Sequence, residues 1–477
     1  MKKKDYSLIT SIVICFLLLV VLSWVIPTAT VSNSTVTNGS TSPVGLFGLL
    51  YYPALTVGTF IQFGLMILAI GGFYGVLSKT GVYTKLVDSF VARVKGKEKL
   101  FAILVVACYA IVSSALGVPY AILVSVPLFI AVLEKLGYSK ISTIALTVGG
   151  ILVGQIGSTF GYNVAGFASS ALGIAVTKGV ISRAILLVLI TALYAAFVLT
   201  RKGAFVKPAK KAKAAAKEED VLFLDNETTS KKSTLPMIIF MVLTNILALV
   251  SMFNWNNVFK IDIFEKFYED LMAITVGGSY PIIKNILGIS NPFGYWDSYE
   301  LVALLSIMAL VVGWIYSLKF KDIFEGFIEG ARKFLRPAVL VIMCNMIFTL
   351  MLVGANSGTM VTFITNKITN LVNGFNIFTV IGSTAIGSFF YNYYYYLFNS
   401  LTSVFNITYG TDVYAIMMLL VQSVYGIMMM LLPTSLFLVA GLSMNGVSYK
   451  EWVKYIWKYL LVVLAIIILV GIILVLV

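Results

Sequence analysis

Histidine is absent from the 477-residue sequence, and charged residues make up only 11% of it. The missing histidine excludes His-based catalysis, His proton relays and His-ligated metal sites. Cysteine is nearly as scarce, since Cys15, Cys108 and Cys344 all fall in apolar segments without a CxxC spacing or a plausible disulfide framework. We interpret them as small buried apolar residues and predict no metal and no cofactor.

Acidic residues are missing from the segments that we single out below as a binding site. The acids nearest to them, Glu134, Glu300 and Asp412, lie near the ends of predicted membrane spans. A buried cation pathway usually contains a carboxylate. Coupling to sodium or protons would therefore have to use backbone carbonyls, or would not exist.

Hydrophobic residues make up 60% of the chain. Its apolar segments run for about 20 residues, the length at which a helix crosses a hydrocarbon core, and the alternation typical of a membrane β-barrel is missing. The net charge of +14 reflects basic residues concentrated between these segments, where positive-inside topology places them, so it does not indicate nucleic-acid binding. We predict an all-α polytopic membrane protein that contacts lipid.

The order of apolar and charged segments predicts five parts. Met1-Lys2-Lys3-Lys4 and the apolar run behind it are interpreted as a first span with a cytoplasmic N-terminus, in the cell membrane. A mixed-charge tether contains Glu218-Glu219-Asp220. The parts are a span with an uncharged outer loop (1–51), a first repeat (52–200), the cytoplasmic linker (201–233), connecting spans with an outer segment (234–336) and a second repeat (337–477).

The two repeats have the same order of elements: span, amphipathic surface arm, re-entrant hairpin, broken helix and span. The hairpins are predicted at 100–136 and 376–406, and the broken helices at 141–176 and 412–443. Basic residues place the first arm and hairpin inside and the second pair outside. The same order with opposite orientation is the inverted-topology repeat of secondary transporters. Surface arms at both faces favour an elevator-type mechanism and a homodimer.

Small and hydroxyl residues interrupt the apolar pattern at the hairpin tips and helix breaks. Irregular backbone at membrane depth is tolerated where it lines a cavity, and free helix-terminal N–H groups can hold an anion there. We predict breaks at Gly382-Ser383-Thr384 and Gly387-Ser388 as well as at Leu432-Pro433-Thr434-Ser435. The predicted substrate-binding residues are Ser113, Ser114, Gln155, Ser158, Thr159 and Asn163 in the first half-site, with Ser383, Thr384, Ser388, Asn392, Gln422, Thr434 and Ser435 in the second.

Each part of this site has an alternative interpretation. Ser and Thr in membrane helices often bond back to their own helix or permit close packing, and the glutamines can satisfy backbone groups. The run Tyr391 to Tyr396 could place at most two rings over a cationic substrate. It could equally form an interfacial aromatic belt.

Several stretches resemble the YfcC family, also described as C4-dicarboxylate anaerobic carrier-like, within the ion transporter superfamily. They are Gly71-Gly72-Phe73-Tyr74-Gly75-Val76 with Lys79-Thr80-Gly81, Gly326 through Arg332, and Leu432-Pro433-Thr434-Ser435 followed by Gly446-Val447-Ser448-Tyr449-Lys450-Glu451-Trp452. The resemblance implies a dimeric secondary carrier of dicarboxylates or of basic amino acids. Family members often carry acids near the first hairpin tip and a Gly-Asp-Gly in the last broken helix. Here those regions read Ala115-Leu116-Gly117-Val118-Pro119-Tyr120 and Ser423-Val424-Tyr425-Gly426.

These observations predict a secondary transporter of a small carboxylate-bearing metabolite and not an enzyme, since we find no metal-ligand cluster or nucleophile–base pair. Arginine/ornithine antiport is the first hypothesis, because it needs no dedicated ion site. A carrier of C4-dicarboxylates or other small organic anions is the alternative, because two opposed helix-terminus clusters could hold two carboxylates. A channel or membrane scaffold would show no stabilisation by a substrate.

Overall fold

The computed structural model describes residues 6–205, 222–224, 230–288, 290–354, 359–409 and 411–476. Within these residues, nine helical segments are long and apolar enough to cross a membrane, as a multi-pass membrane protein requires. The segments are Ser7–Val25, Gly48–Lys79, Glu98–Leu116, Val180–Thr200, Leu235–Met252, Ser298–Ile315, Leu335–Val353, Tyr414–Met444 and Tyr449–Leu476.

The part of the chain before the linker is a series of helices with one short two-stranded sheet. Two π-helical turns, Ala145–Gly149 and Tyr162–Gly166, lie in its broken helix. The elements are α1 (Ser7–Val25), β1 (Pro27–Ser32), β2 (Thr35–Thr41), α2 (Gly48–Lys79), α3 (Val82–Val94), α4 (Glu98–Leu116), α5 (Pro119–Leu123), α6 (Val126–Lys135), α7 (Lys140–Ile144), α8 (Gly150–Ile156), α9 (Phe167–Ala171) and α10 (Val180–Thr200).

The part after the linker is likewise a series of helices with one short two-stranded sheet. It contains the 3₁₀ turn Thr411–Val413 ahead of its broken helix. The elements are α11 (Leu235–Met252), α12 (Trp255–Phe259), α13 (Ile263–Met272), β3 (Thr275–Val276), β4 (Tyr280–Pro281), α14 (Ile282–Leu287), α15 (Ser298–Ile315), α16 (Phe320–Lys333), α17 (Leu335–Met343), α18 (Met346–Gly354), α19 (Met360–Thr369), α20 (Ile377–Phe390), α21 (Tyr394–Thr408), α22 (Tyr414–Leu431), α23 (Leu436–Met444) and α24 (Tyr449–Leu476).

The loop after the first span forms a β-hairpin, so the chain is mostly and not entirely helical. Asn33 and Ser34 have φ of 48° and 58°, the left-handed conformation that a two-residue hairpin turn needs. The adjacent strands pair antiparallel. Ala29 also exchanges backbone hydrogen bonds with Thr359, which ties the hairpin to the start of α19.

The first hairpin and broken helix occur where the sequence predicts them. Helix α4 ends at Gly117, whose φ of +64° lets the chain reverse into α5 and α6. The broken helix runs through α7 and α8 to Ile156 and resumes at Tyr162. The residues between these two, 157–161, are the irregular stretch that faces the hairpin tip.

The second hairpin differs from the sequence prediction. The breaks expected at Gly382-Ser383-Thr384 and Gly387-Ser388 are wrong, because α20 continues through both without interruption. Thr384 and Ser388 donate to the carbonyls of Val380 and Thr384 within the same helix, each at 2.7 Å. Such bonds leave the helical ladder intact. The chain reverses later, at residues 391–393.

Four glycines bring α2 and α16 into backbone contact. A Cβ on Gly75 would lie 2.1 Å from the Gly326 carbonyl oxygen, and one on Gly330 would lie 2.1 Å from the Gly71 carbonyl oxygen. Small residues four apart permit this close approach between membrane helices. Lys79 and Glu329 form an ion pair of 2.8 Å beyond the contact. The sequence pattern did not predict that α16 packs along α2.

Two further expectations concern cysteine and the linker. Of the three cysteines only Cys344 is buried, whereas Cys108 is exposed and Cys15 is half-buried, so the prediction of three buried thiols is wrong. Most of the linker, including Glu218-Glu219-Asp220, lies outside the described residues. After it, the chain continues with α11 to α24.

Candidate substrate site

The first half-site is a network of hydrogen bonds around Ser114. Its carbonyl oxygen accepts the backbone N–H groups of Thr159, Phe160 and Gly161 at 3.0–3.3 Å. Its hydroxyl donates to the Gly157 carbonyl at 2.8 Å and lies 3.1 Å from the Thr159 hydroxyl. The Ser158 and Thr159 hydroxyls lie 3.5 and 3.3 Å from the Ser114 carbonyl. Ser114 thus satisfies the broken backbone of residues 157–161.

The tip of the first hairpin lies directly on this break. Asn163 donates to the Gly117 carbonyl at 2.9 Å, and a Cβ on Gly117 would lie 2.6 Å from the Gly161 Cα. Ser113 donates to the Ile151 carbonyl at 2.8 Å. These contacts join α4 to the broken helix, so Ser113 and Asn163 have a packing function here that is independent of any ligand.

The two broken helices pack against each other. Gln422 Nε2 donates to the Ser158 carbonyl at 2.9 Å, and the Ser423 hydroxyl donates to the Ile156 carbonyl at 3.0 Å. Gln155 is buried on the opposing helix α8. Gln422 is therefore the residue of the second predicted half-site that contacts the first.

The second half-site is centred on Asn392, in the turn of the second hairpin. Its Nδ2 donates to the Asn345 side-chain oxygen at 3.0 Å and to the Thr434 carbonyl at 3.1 Å. The Tyr425 hydroxyl donates to the Asn392 carbonyl at 2.7 Å. The turn is therefore held between the interruption of α17–α18 and the break before α23.

Three residues at this turn have buried polar atoms without a hydrogen-bond partner in the described part of the chain. These atoms are the Asn392 Oδ1 and the hydroxyls of Thr434 and Ser435. The Gln422 Oε1 on α22 and the Ser383 hydroxyl on α20 are also unpartnered among the described residues. Leaving a polar group buried and unpaired costs roughly 1–3 kcal/mol. Several such groups in one place indicate a site that a polar ligand or water completes.

Two helix N-termini meet at the same turn. Helix α21 begins at Tyr394 and α23 at Leu436, and neither has a side-chain cap. The first turn of a helix presents free N–H groups and a partial positive charge, which favour an anion. The Asn392–Thr434 hydrogen bond brings the residues before both N-termini together. The arrangement is suited to holding a carboxylate.

Aromatic rings close the other side of this region. Tyr120, at the first hairpin tip, stacks on Phe63 of α2 with ring centroids 5.1 Å apart. Tyr393, at the second hairpin tip, lies 6.3 Å from the same Phe63 ring and 4.7 Å from Phe348. Both hairpin tips therefore pack against one aromatic residue of α2.

The tyrosine run divides by exposure. Tyr391 and Tyr394 are buried and Tyr393 is nearly so, whereas Tyr395 and Tyr396 are 50% and 37% exposed. The inner three line the hairpin turn, and the outer two have the exposure of a membrane-interface belt.

Sequence reasoning missed two buried polar residues in apolar segments. Asn345 is fully buried in an apolar segment, and an amide at that depth was the signal that should have singled it out. Arg183 is 1% exposed on α10. A lone charge in an otherwise apolar span is an even stronger signal of function. In the region described, no group of three or more Cys, Asp or Glu side chains could hold a metal ion.

Comparison with known proteins gives a matching family model and several similar solved structures. The family model described as "DcuC: C4-dicarboxylate anaerobic carrier" matches residues 6–476. No curated protein matches the sequence significantly. A solved structure described as "Crystal structure of the Alcanivorax borkumensis YdaH transporter reveals an unusual topology" is similar at 15% identity and a TM-score of 0.39, over 98% of each chain.

Proposed function

We propose that this chain, which belongs to the C4-dicarboxylate anaerobic carrier family, carries C4-dicarboxylates or similar small organic anions across a membrane as a secondary transporter. Family membership confirms the resemblance at this level, while the narrower YfcC assignment stays a prediction. It also agrees with the prediction that the protein is a transporter and not an enzyme.

One observation carries the choice of an anion. The turn at Asn392 gathers the unpartnered hydroxyls of Thr434 and Ser435 and two uncapped helix N-termini among the described residues. The hydroxyls of Thr434 and Ser435 can donate to a carboxylate, and the helix N-termini add positive potential. The thirteen residues predicted from the sequence remain candidates, and Asn392, Thr434, Ser435, Gln422 and Ser383 are the ones that offer free polar atoms.

Arginine/ornithine antiport, the first hypothesis from the sequence, has no support in the comparisons. A guanidinium or ammonium group buried in a membrane protein needs an anionic partner. Among the described residues that line the turn, none is acidic. The C4-dicarboxylate alternative is therefore the better reading of the site.

We further propose the architecture that the sequence predicts. The two repeats would have inverted topology, with the paired hairpins and broken helices sliding against a scaffold that includes α2 and α16. The protein would lie in the cell membrane as a homodimer with a cytoplasmic N-terminus. Support comes from the equal order of elements and from the backbone contact of α2 with α16.

Counterflow in proteoliposomes tests the function. Vesicles are preloaded with succinate, with ornithine or with nothing, and labelled succinate or labelled arginine is added outside. Uptake of labelled succinate that depends on internal succinate is the expected result. Arginine uptake that depends on internal ornithine, without succinate uptake, would contradict the proposal and restore the antiport hypothesis. No uptake of labelled succinate or of labelled arginine would contradict transport of dicarboxylates and of basic amino acids alike.

A further inference from the structure

The side-chain amide of Asn392, in the turn of the second hairpin, has both of its donors in use. Its Nδ2 donates to the Asn345 Oδ1 at 3.0 Å and to the Thr434 carbonyl oxygen at 3.1 Å. A side-chain amide nitrogen offers two donors and no more. The other end of the same amide, the Oδ1, is buried and has no hydrogen-bond partner among the described residues.

The direction of this amide is fixed by its neighbours. A backbone carbonyl such as that of Thr434 can only accept a hydrogen bond, so the Asn392 nitrogen and not its oxygen must face it. Asn345 is fixed in the same way, because its own Nδ2 donates to the Val341 carbonyl at 3.0 Å. Its Oδ1 is thereby left to accept from Asn392. The free Asn392 Oδ1 is therefore held in place as an acceptor.

The free polar groups at this turn are thus of two kinds. The hydroxyls of Thr434 and Ser435, both 1% exposed, have no partner among the described residues and can donate. The Asn392 Oδ1 can only accept. An ionised carboxylate offers acceptors alone, so it satisfies the hydroxyls and leaves the Oδ1 buried and unpaired, which is unfavourable. A ligand that completes the turn needs a hydrogen-bond donor beside its carboxylate.

The chemistry of the turn favours a neutral donor. An ammonium group in a membrane protein needs an anionic partner, and residues 390–396 and 432–437 contain no Asp or Glu. An un-ionised carboxyl group is rare at neutral pH, because carboxyl pKa values lie near about 4. An alcohol hydroxyl stays neutral and can donate to the Oδ1, while the neighbouring carboxylate accepts from the hydroxyls of the turn.

We propose that the Asn392 Oδ1 determines specificity within the candidate site. It selects anions with a hydroxyl next to a carboxylate, such as the 2-hydroxydicarboxylate malate, over dicarboxylates without a donor, such as succinate. The inference rests on the proposed function, since it concerns the same turn, and succinate remains a weaker substrate. Asn345 is a positioning residue, because it acts through the Asn392 amide.

The test compares three ligands of the purified full-length protein at pH 8, where their carboxyl groups are ionised. Malate has the hydroxyl, 2-methylsuccinate has a methyl group of similar size in its place, and succinate has neither. The Kd of each comes from thermal stabilisation, and competition against labelled succinate in counterflow gives a second measure. We expect malate to bind at least about fivefold more tightly than the other two. Malate binding no tighter than succinate would overturn the inference.

Substitution of Asn392 tests whether this atom is responsible for the selection. In Asn392→Leu, the Kd values of malate and succinate should agree within about twofold, whatever the absolute affinity. Asn370→Leu, at an exposed position, is the matched control and should keep the wild-type preference. A preference for malate that survives in Asn392→Leu would exclude the Oδ1 as its cause. If Asn392→Leu does not fold, the comparison of the three ligands on the wild type still decides.

Other occupants of the Oδ1 predict different results. A cation there predicts that malate and succinate bind equally well and that both require Na⁺. A water molecule or a protein hydroxyl there predicts equal binding with or without Na⁺. Either result would overturn the selection of a hydroxyl. A wild type that neither binds nor carries any of the three dicarboxylates would instead overturn the proposed function itself.

Discussion

The Asn392 side-chain nitrogen donates to the Thr434 carbonyl oxygen at 3.1 Å, which joins the turn of the second hairpin to the break before α23. The bond uses the backbone of Thr434 and leaves its hydroxyl free. Within this pair, the bond from the Asn392 side chain to the Thr434 carbonyl is a structural contact, whereas the Thr434 hydroxyl is a donor that no described group uses. Substitutions at this pair can distinguish folding from substrate binding.

Replacing Thr434 with Val should abolish or strongly reduce succinate counterflow without lowering the melting temperature. Val keeps the shape of Thr and removes only a hydroxyl that has no partner among the described residues. Thr402→Val is the matched control, because that hydroxyl bonds only within α21 and should be dispensable for transport. Normal transport by Thr434→Val, or its loss in Thr402→Val, would move the site elsewhere.

Asn392→Leu should lower both stability and transport. It removes two hydrogen bonds, to Asn345 and to the Thr434 carbonyl, each worth about 1 kcal/mol net, and it leaves buried acceptors unsatisfied. We expect a loss of about 2 kcal/mol, seen as a lower melting temperature in detergent. Asn370→Leu, at an exposed position, is the control. A melting temperature equal to wild type for Asn392→Leu would contradict the assigned contacts.

Gly75→Ala should prevent stable folding. The added Cβ would lie 2.1 Å from the Gly326 carbonyl oxygen, so the backbones of α2 and α16 would have to separate. Gly58→Ala, also in α2, meets nothing within 4 Å and should be neutral or slightly stabilising, since Ala is the better helix former. Yield and elution profile on size-exclusion chromatography measure the difference. Equal behaviour of the two variants would show that the helices do not touch there.

Gly117→Ala should destabilise the protein more than Gly173→Ala does. Both glycines have left-handed φ, +64° and +67°, so both substitutions carry the same backbone cost of about 1 kcal/mol. Only the Cβ at Gly117 meets backbone, 2.6 Å from the Gly161 Cα. The difference in melting temperature between the two variants therefore isolates the contact of the hairpin tip with the helix break. No difference would place the tip away from the break.

Much of the element order could be read from the sequence, because apolar length and basic residues mark the ends of spans. The broken helix predicted at 141–176 is interrupted between Ile156 and Tyr162, and the break predicted at Leu432-Pro433-Thr434-Ser435 is found there. The proline and the interrupted apolar pattern are the features that predict this second break. The breaks predicted around Ser383 and Ser388 failed, because glycine and hydroxyl residues are also compatible with a continuous membrane helix.

The division of roles within the site could not be read from the sequence. In the sequence, Ser114 and Thr434 look alike, since each is a hydroxyl residue beside a predicted helix break. In the structure, the Ser114 hydroxyl donates to the Gly157 carbonyl, whereas the Thr434 hydroxyl has no partner among the described residues. That difference depends on partners more than 40 residues away in the chain. Packing between distant segments is invisible to local patterns.

The Ser114 carbonyl has one more consequence, for hydrogen exchange. Because it accepts the amides of Thr159, Phe160 and Gly161, these amides in a stretch without helical structure are as well shielded from solvent deuterium as those of the adjoining helices. Their exchange requires the first hairpin to part from the broken helix, so deuterium uptake at residues 159–161 reports directly on that separation. The exchange rate of this irregular stretch therefore measures how often the first hairpin separates from the broken helix.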